Sequence, residues 1–299
     1  MNGLRHIRVL SDGRPGHENQ SVGLALALAR RVEAAFEIVK IDSSTGLLAR
    51  MRAASRPGPV DLVIAAGHRT HLPLWWAARR LRARSVVIMK PSLPLAFFDL
   101  CLMPRHDLAN PVDHGRVVTT RGALNRIAEQ PATKTDTGVI LIGGPSSHHG
   151  WDGAPLSSAI AEIVRARPEL AWTIGDSRRT PEGFLAQQLS GCGAQLVPHQ
   201  QTQPGWLPAQ LGAAREVWVT EDSVSMIFEA LTAGARVGVL PMPVKNPRAR
   251  TVKAVRDLMA DGYVRSFNEW KKHPDGWGGA PALHETARCA DLIIERFFR

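Results

Sequence analysis

The sequence predicts an α/β protein built from two Rossmann-like, doubly wound domains that face a cleft. Short apolar runs of strand length alternate with segments of helical period along the whole chain. Most of these runs end in polar or glycine-containing turns, as strands do at the carboxyl edge of a parallel sheet. The alternation is interrupted once, at residues 128–137, which lack a hydrophobic period and predict a linker between the two domains.

The first half contains six predicted strands. Because each of them ends in polar residues, these ends are expected along one edge of a sheet. Helices are predicted from the apolar period of residues 22–28 and over residues 46–54, and a third helix is expected to begin at Trp75. The predicted strands are residues 7–10, 36–41, 61–66, 86–89, 100–103 and 117–120.

The second half repeats the alternation, most clearly over residues 216–242. This segment predicts a strand, a polar turn, a helix that stops at Gly234, and a second strand. Asp222 or Ser223 is expected to cap the helix, because short polar side chains satisfy the free N–H groups there. The other predicted elements are strands at residues 138–142 and 171–174, and helices at residues 252–259 and 283–298.

Composition sets limits on the class of protein. The chain has 299 residues, of which 44% are hydrophobic and 21% charged, enough for the cores of two domains. No apolar segment opens the sequence and no apolar run reaches membrane-spanning length, so neither export nor membrane insertion is expected. Three widely spaced cysteines without a C-x-x-C pair argue against disulfides and zinc, and they suit a reducing cytoplasm.

Positive charge is the most unusual property of the composition, with a formal net charge of +10. The densest basic cluster is Arg79, Arg80, Arg82 and Arg84, next to a pair of tryptophans. Such a surface suits a diphosphate substrate or an anionic bilayer, so we expect a cytoplasmic protein that associates with the inner face of the membrane. Solvated arginines alone would also explain much of the charge. No motif supports nucleic acid as a partner.

Three polar turns in the second half predict a site for a nucleotide diphosphate. The turn after residue 219 places hydroxyl and N–H groups at a helix N-terminus, where anions bind, and Glu229 follows within reach of a ribose diol. The turns after residues 142 and 174 supply glycine N–H groups and arginines, whose guanidinium fork pairs with phosphate oxygens. The predicted donor-binding residues are Gly144, Ser146, Arg178, Arg179, Thr220, Asp222, Ser223, Ser225, Met226 and Glu229.

The same turns also have a purely structural interpretation. Ser223 would only cap its helix, Glu229 would face water, and the two arginines would form a basic turn in solvent. His148 and His149 do not predict a metal site, because no carboxylate or cysteine stands at ligand spacing. The G-x-G-x-x-G fingerprint is absent, so no cofactor is expected and a nucleotide sugar would enter as substrate.

The loop SDGRPGHENQ, residues 11–20, follows the first strand and predicts the catalytic group. Asp12 lies nearest the rigid strand end, and His17 belongs to the residue type whose unperturbed pKa is nearest neutrality. Either is predicted as the base that removes a proton from an acceptor hydroxyl, with Glu18 holding the loop. Alternatively, Asp12 or Glu18 caps the following helix and His17 is structural. The loop's predicted substrate-binding residues are Gly13, Gly16, Glu18 and Asn19.

Several segments together resemble the family of the plant mitochondrial fission factor ELM1 and its bacterial relatives. More broadly, residues 216–242 resemble the nucleotide-sugar-binding segment of GT-B glycosyltransferases. The family resemblance is carried by SDGRPGHENQ at 11–20, PRHD at 104–107, RGALNRI at 121–127, LIGGPS at 141–146, SRRTP at 177–181 and TEDSVSM at 220–226.

The resemblance implies a GT-B-like architecture: an acceptor domain at residues 1–130, a nucleotide-sugar-binding domain at 138–282, and a helix at 283–299 that packs back on the first domain. It implies transfer of a sugar from a nucleotide diphosphate donor to a lipid or cell-envelope glycan. Two alternatives stay open. One is a non-catalytic adaptor, as the plant relatives are described, and the other is a nucleotide-sugar epimerase.

Overall fold

The computed structural model describes residues 3–42, 44–108, 113–128, 133–274 and 282–299. They form two compact units, which are Met1–Ala128 with His284–Arg299, and Glu129–Leu283. Each unit contains one six-stranded sheet, in which all pairings between strands are parallel. The predicted fold class, an α/β protein with two Rossmann-like domains, is therefore confirmed.

The first unit alternates strands and helices up to its fourth strand. Its elements are β1 (His6–Ser11), α1 (Pro15–Val32), β2 (Ala35–Lys40), α2 (Leu47–Ala54), β3 (Leu62–Ala66), α3 (His71–Leu81), β4 (Arg84–Ile88), β5 (Leu100–Pro104) and β6 (Val117–Thr120).

The second unit begins with β7, and the last helix of the chain belongs to the first unit. The elements are β7 (Thr135–Leu141), α4 (Gly153–Ala166), β8 (Ala171–Gly175), α5 (Phe184–Gln188), β9 (Gln195–Val197), α6 (Trp206–Ala213), β10 (Ala214–Thr220), α7 (Val224–Thr232), β11 (Arg236–Leu240), α8 (Arg250–Ala260), β12 (Val264–Ser266), α9 (Phe267–Lys272) and α10 (Glu285–Phe297).

The first sheet has the order β2-β1-β3-β4-β5-β6 and is covered on both faces. One core joins the sheet to α1 and α10, through side chains such as Leu24 and Ile293. The other core lies on the opposite face of the sheet, where the strand side chains of that face pack against α2 and α3 through Ala54 and Leu74. Because strands buried on both faces need apolar side chains at nearly every position, β3 and β5 consist of fully buried residues.

The second sheet has the order β12-β11-β10-β7-β8-β9. Counted from its own first strand, this is the Rossmann order 3-2-1-4-5-6. Its main core contains Trp218 and Trp270, whose rings meet edge to face with centroids 5.3 Å apart. Leu156, Ile160 and Ile163 bury one face of α4 in the same core.

The structure corrects two predicted boundaries. The third helix begins at His71 rather than Trp75, because Pro73 lies in its first turn, where no backbone donor is needed. The predicted linker overlaps β7, which begins at Thr135, and residues 129–132 lie outside the described part of the chain. The strand β12 ends at Ser266, whose hydroxyl accepts from the N–H of Glu269 and starts α9 as an S-x-x-E cap.

Candidate functional site

The loop between β1 and α1 lies at a point where the order of the first sheet reverses, since β2 and β3 flank β1. Ligands of such sheets bind at the carboxyl ends of the strands beside this point. Asp12 follows β1 directly, and Oδ2 of Asp12 lies 2.9 Å from Nδ1 of His17 in the first turn of α1. The side chain of Asp12 is 1% exposed and that of His17 is 21% exposed. A buried carboxylate thus orients an imidazole that reaches the surface.

The other loop residues form a support for this pair. Ser11 Oγ donates to Glu18 Oε2 over 2.7 Å, and Arg126 Nη2 donates to Glu18 Oε1 over 3.0 Å. The hydrogen bond from Ser11, followed by the contacts with Arg126, lowers the pKa of Glu18, so this carboxylate remains charged. The N-cap position of α1 is Arg14, without a side-chain cap, so neither Asp12 nor Glu18 caps the helix.

Three further predicted residues lie in the same loop and helix. Gly13 has a φ of +76° and donates its N–H to Ser11 Oγ over 3.1 Å. Gly16 is exposed on the first turn of α1, and Asn19 is half-buried one turn later. All six residues predicted for this edge, Asp12 to Asn19, therefore lie within one loop and the first turn and a half of one helix.

Gly67 and His71, which both follow β3 in the sequence, complete this edge. Gly67 has a φ of +92°, and a Cβ atom built on it would lie 2.3 Å from Nδ1 of His17 and 2.8 Å from Oδ2 of Asp12. Only glycine therefore allows the backbone to approach the pair so closely. Four residues later, His71 is 3% exposed, and its Nδ1 accepts the N–H of Ser92 over 3.1 Å. This bond assigns the ring proton to Nε2, which is buried and has no hydrogen-bond partner among the described residues.

We expect His71 to make the protein sensitive to acid. Burial, with smaller contributions from His68 and His17, lowers the pKa of His71 from 6.5 to about 4. The folded state therefore resists protonation that the unfolded chain accepts, so stability falls as the pH drops from about 6.5 to 4. Between pH 7 and pH 5 this group is expected to remove about 2 kcal/mol from the free energy of unfolding.

The measurement is urea unfolding at both pH values for the wild type and His71→Asn, in which the amide oxygen replaces Nδ1 as acceptor. The acid-induced loss should shrink by about 2 kcal/mol in this variant. His68→Asn, at an exposed position in the same turn, is the control; it removes only a smaller contribution to the pKa of His71 and should keep most of the acid-induced loss. An unchanged acid-induced loss in His71→Asn would contradict the prediction.

The second edge lies at the reversal point of the second sheet, between β7 and β10. The N–H of Gly143 donates to Thr220 Oγ1 over 2.8 Å, and the N–H of Gly144 donates to Asp222 Oδ2 over 3.0 Å. Thr220 is fully buried, and so is the side chain of Asp222. The glycine N–H groups that were expected to meet phosphate oxygens are therefore bonded to the protein's own side chains.

Arg179 connects the three polar turns of this edge. Its Nη2 lies 2.7 Å from Asp222 Oδ2 and donates to Ser223 Oγ over 3.1 Å, while its Nη1 donates to the carbonyl oxygen of Gly144 over 2.9 Å. Ser223 occupies the N-cap position of α7, but its hydroxyl makes no cap hydrogen bond and contacts Asp222 instead. The predicted cap by Asp222 or Ser223 is thus wrong, because Arg179 and the buried carboxylate engage the hydroxyl.

The remaining predicted donor residues lie outside this network. Arg178 is exposed, and in the described structure its side chain has no hydrogen bond or ion pair. Ser146 Oγ accepts the N–H groups of His148 and His149 and so stabilises its own turn. On α7, Ser225 is exposed, whereas Met226 and Glu229 are half-buried. Ser225 and Glu229 are four residues apart and share one helix face.

Two features of this edge had no signal in the sequence. His149 is buried close to Asp222 and Arg179, and burial lowers its pKa, although the charge of Asp222 opposes this effect. Oδ1 of Asp222 is buried and has no hydrogen-bond partner within the described ranges. Among the described residues, no group of three His, Cys, Asp or Glu side chains is arranged to hold a metal ion.

Solved structures with the same architecture define the class of the protein. A UDP-N-acetylglucosamine 2-epimerase superimposes with a TM-score of 0.61 and 13% identity, covering 100% of this chain and 98% of the other. The glycotransferase of kitacinnamycin gives a TM-score of 0.55 and 19% identity, covering 100% of both chains. At these identities the likeness shows the fold alone. The protein is therefore a two-domain α/β protein with a GT-B-like fold.

The family follows from the sequence comparison. The family model described as "Mitochondrial fission ELM1" matches residues 15–297, which is nearly the whole chain. The chain therefore belongs to the mitochondrial fission ELM1 family, as the resemblance predicted. The mitochondrial fission protein ELM1 of Arabidopsis thaliana is 24% identical over 323 aligned positions, covering 93% of this chain and 71% of the relative.

No helix within the described residues combines the length and apolar character needed to cross a membrane.

Proposed function

We propose that the protein is a glycosyltransferase that moves a sugar from a nucleotide diphosphate donor to a hydroxyl group of a lipid or envelope glycan. The observation that carries the proposal is the pairing of His17 with the buried carboxylate of Asp12 at the reversal point of the first sheet. A carboxylate that accepts from Nδ1–H leaves the lone pair on Nε2, which is the form a general base needs.

In the proposed reaction, Nε2 of His17 takes the proton of the acceptor hydroxyl as its oxygen bonds to the anomeric carbon. The bond from that carbon to the diphosphate breaks, and the nucleoside diphosphate leaves with the electron pair. Asp12 orients the imidazole and stabilises the imidazolium that forms. The backbone of Gly67 packs closely against one side of the pair. No metal and no cofactor is required by this scheme.

The donor is proposed to bind at the edge of the second unit. Arg178 is exposed and has no side-chain hydrogen bond or ion pair among the described residues, while Arg179, held by Asp222, contributes a fixed guanidinium. Ser225 and Glu229 provide hydroxyl and carboxylate groups on one face of α7.

Affinity for the donor tests this assignment. We expect Arg178→Ala to weaken the binding of a nucleoside diphosphate by about 1–3 kcal/mol, the usual cost of removing one partner of a hydrogen bond. Calorimetric titration, after a thermal-shift screen of nucleoside diphosphates and their sugars, gives the two affinities. Arg165→Ala, at an exposed position on α4, removes the same charge from the same unit and should bind like the wild type. Equal affinity in Arg178→Ala and the wild type would refute the donor site.

A non-catalytic adaptor is the second candidate, and one observation favours it. The N–H groups of Gly143 and Gly144 and the guanidinium of Arg179 are already satisfied by Thr220 and Asp222, as a scaffold without a ligand requires. An adaptor would bind no nucleoside diphosphate in the calorimetric screen. An epimerase would bind the donor and convert its sugar without any acceptor, so product analysis with and without acceptor separates it from a transferase.

A further inference from the structure

The first unit has a second candidate site at the edge opposite to Asp12 and His17. There an open cavity of about 440 Å³ lies where α3 ends and where β4 and β5 begin. Since parallel strands share their direction, the starts of β4 and β5 lie at the amino edge of the sheet, away from the loop after β1. The residues that give the cavity its chemical character are Trp75, Arg79, Arg82, Arg84, Phe97 and Arg116.

Positive charge dominates this arginine cavity. Four guanidinium groups line it, and Asp99 is the single carboxylate among the lining residues. One oxygen of Asp99 already accepts from the N–H and Oγ of Ser85, over 2.9 and 2.8 Å, and the other accepts from Arg84 over 3.2 Å. The protein therefore leaves most of the positive charge uncompensated, and an anion bound in the cavity would relieve the repulsion between arginines.

Two of the arginines are fixed by the protein and two are available. Arg116 donates to the carbonyl oxygen of Phe98 over 3.0 Å, and Arg84 contacts Asp99. Arg79 lies over the ring of Trp75, and neither Arg79 nor Arg82 has a side-chain hydrogen bond or ion pair in the described structure. The helix dipole explains cations in the last turn of α3, but it does not explain Arg84 and Arg116, which belong to other elements.

Beside the arginines, the cavity has aromatic lining residues and an apolar rim. The rings of Trp75 and Phe97 stack with centroids 5.3 Å apart, and Trp76 adjoins Trp75 at 6.5 Å. Trp76, Leu95 and Phe97 expose between 36% and 38% of their surface. Aromatic and aliphatic side chains next to arginines are typical of surfaces that enter the interface of an anionic bilayer. A pocket for a soluble anion would not need such a rim.

We propose that the arginine cavity binds the phosphate of an anionic phospholipid headgroup, while Trp76, Leu95 and Phe97 insert among the acyl chains beside it. The proposal names a binding site and a ligand for the membrane association that the charge predicts. It does not depend on glycosyl transfer, because none of its residues belongs to either proposed substrate site.

The test is flotation of the whole protein with vesicles of phosphatidylcholine, either alone or mixed with phosphatidic acid or with phosphatidylserine at matched charge. Wild type should bind both anionic mixtures at low salt and float poorly with phosphatidylcholine alone. Each arginine near an anionic surface contributes about fivefold in affinity, so the double variant Arg79→Gln, Arg82→Gln should bind about 30-fold more weakly. Both side chains are exposed and lack folded-state hydrogen bonds, so unchanged thermal unfolding will show that the variant folds.

The matched control is the double variant Arg30→Gln, Arg52→Gln, which removes two exposed arginines from the same unit. If this control binds vesicles like the wild type, the result supports a local site. An equal loss in both double variants would show that net charge alone binds the vesicles and would overturn the proposal. A second arm adds inorganic phosphate, with chloride at the same ionic strength as reference. Protection of the fold by phosphate without vesicle binding would mean a soluble anion site and would also overturn the lipid assignment.

Discussion

His17→Ala and Asp12→Asn are each expected to lower sugar turnover by about 10²- to 10⁴-fold, the usual contribution of a positioned general base. His17→Ala removes the group that accepts the proton. Asp12→Asn keeps the shape but replaces a carboxylate with an amide, whose NH₂ group can face Nδ1 and move the ring proton to Nε2. Neither side chain belongs to the second unit, so the affinity for nucleoside diphosphate should remain that of the wild type.

The measurement is release of nucleoside diphosphate at saturating donor and acceptor, alongside calorimetric affinity for the donor. His6→Asn is the control, because His6 begins β1 at the opposite edge of the sheet and should turn over normally. If both loop variants bind donor and turn over like the wild type, the base lies elsewhere or the mechanism is a retaining one. Loss of donor affinity in either variant would instead indicate a structural role for the loop.

The local pattern of the sequence was sufficient for the fold and for the loop after β1. The strand and the polar loop are adjacent in sequence, so Asp12 and His17 had to meet at one strand end once β1 and α1 formed. The strands that are buried on both faces of the sheet were equally predictable, since β3 and β5 are apolar throughout. A local sequence pattern can predict contacts between residues that are close to each other in the sequence.

The second edge was predictable as a location but not as a set of contacts. The sequence pattern predicts phosphate binding by both Arg178 and Arg179, yet Arg179 binds Asp222, and Arg178 has no side-chain hydrogen bond or ion pair within the described residues. Which neighbour turns inward depends on a partner 43 positions away along the chain, and no local pattern encodes that distance. The burial of His71 was not predicted for the same reason. Its Nδ1 accepts the N–H of Ser92, which lies on another loop.

The two edges also differ in what they leave unsatisfied. At the first edge, the imidazole of His17 reaches solvent and Nε2 of His71 has no hydrogen-bond partner within the described residues. At the second edge, Oδ2 of Asp222 accepts from the N–H of Gly144, the hydroxyl of Ser223 and the guanidinium of Arg179, whereas the buried Oδ1 has no partner among the described residues. A ligand at the second edge must therefore bind on a network whose bonds to Oδ2 are already made, which makes the integrity of that network a condition for binding.

Gly144→Ala is expected to break this network and to destabilise the protein by roughly 3 kcal/mol, the upper end of the usual cost of overpacking. A Cβ atom on residue 144 would lie 2.0 Å from the carbonyl oxygen of Arg179 and 2.3 Å from its carbonyl carbon. The clash is with backbone, which cannot rotate away as a side chain can. The loop that carries Arg178 and Arg179 must move, and this movement would break the ion pair between Arg179 and Asp222.

Urea unfolding of the wild type and Gly144→Ala, followed by calorimetric titration with nucleoside diphosphate, measures both consequences. The control is Gly212→Ala on α6, where a Cβ atom would meet nothing within 4 Å. Since alanine favours a helix over glycine by about 1 kcal/mol, this control should be as stable as the wild type or slightly more so. Donor affinity should fall in Gly144→Ala and stay constant in Gly212→Ala. If Gly144→Ala has wild-type stability, the loop of Arg179 can move at no cost in the free energy of unfolding. An intact network would then not be required for binding of the nucleoside diphosphate.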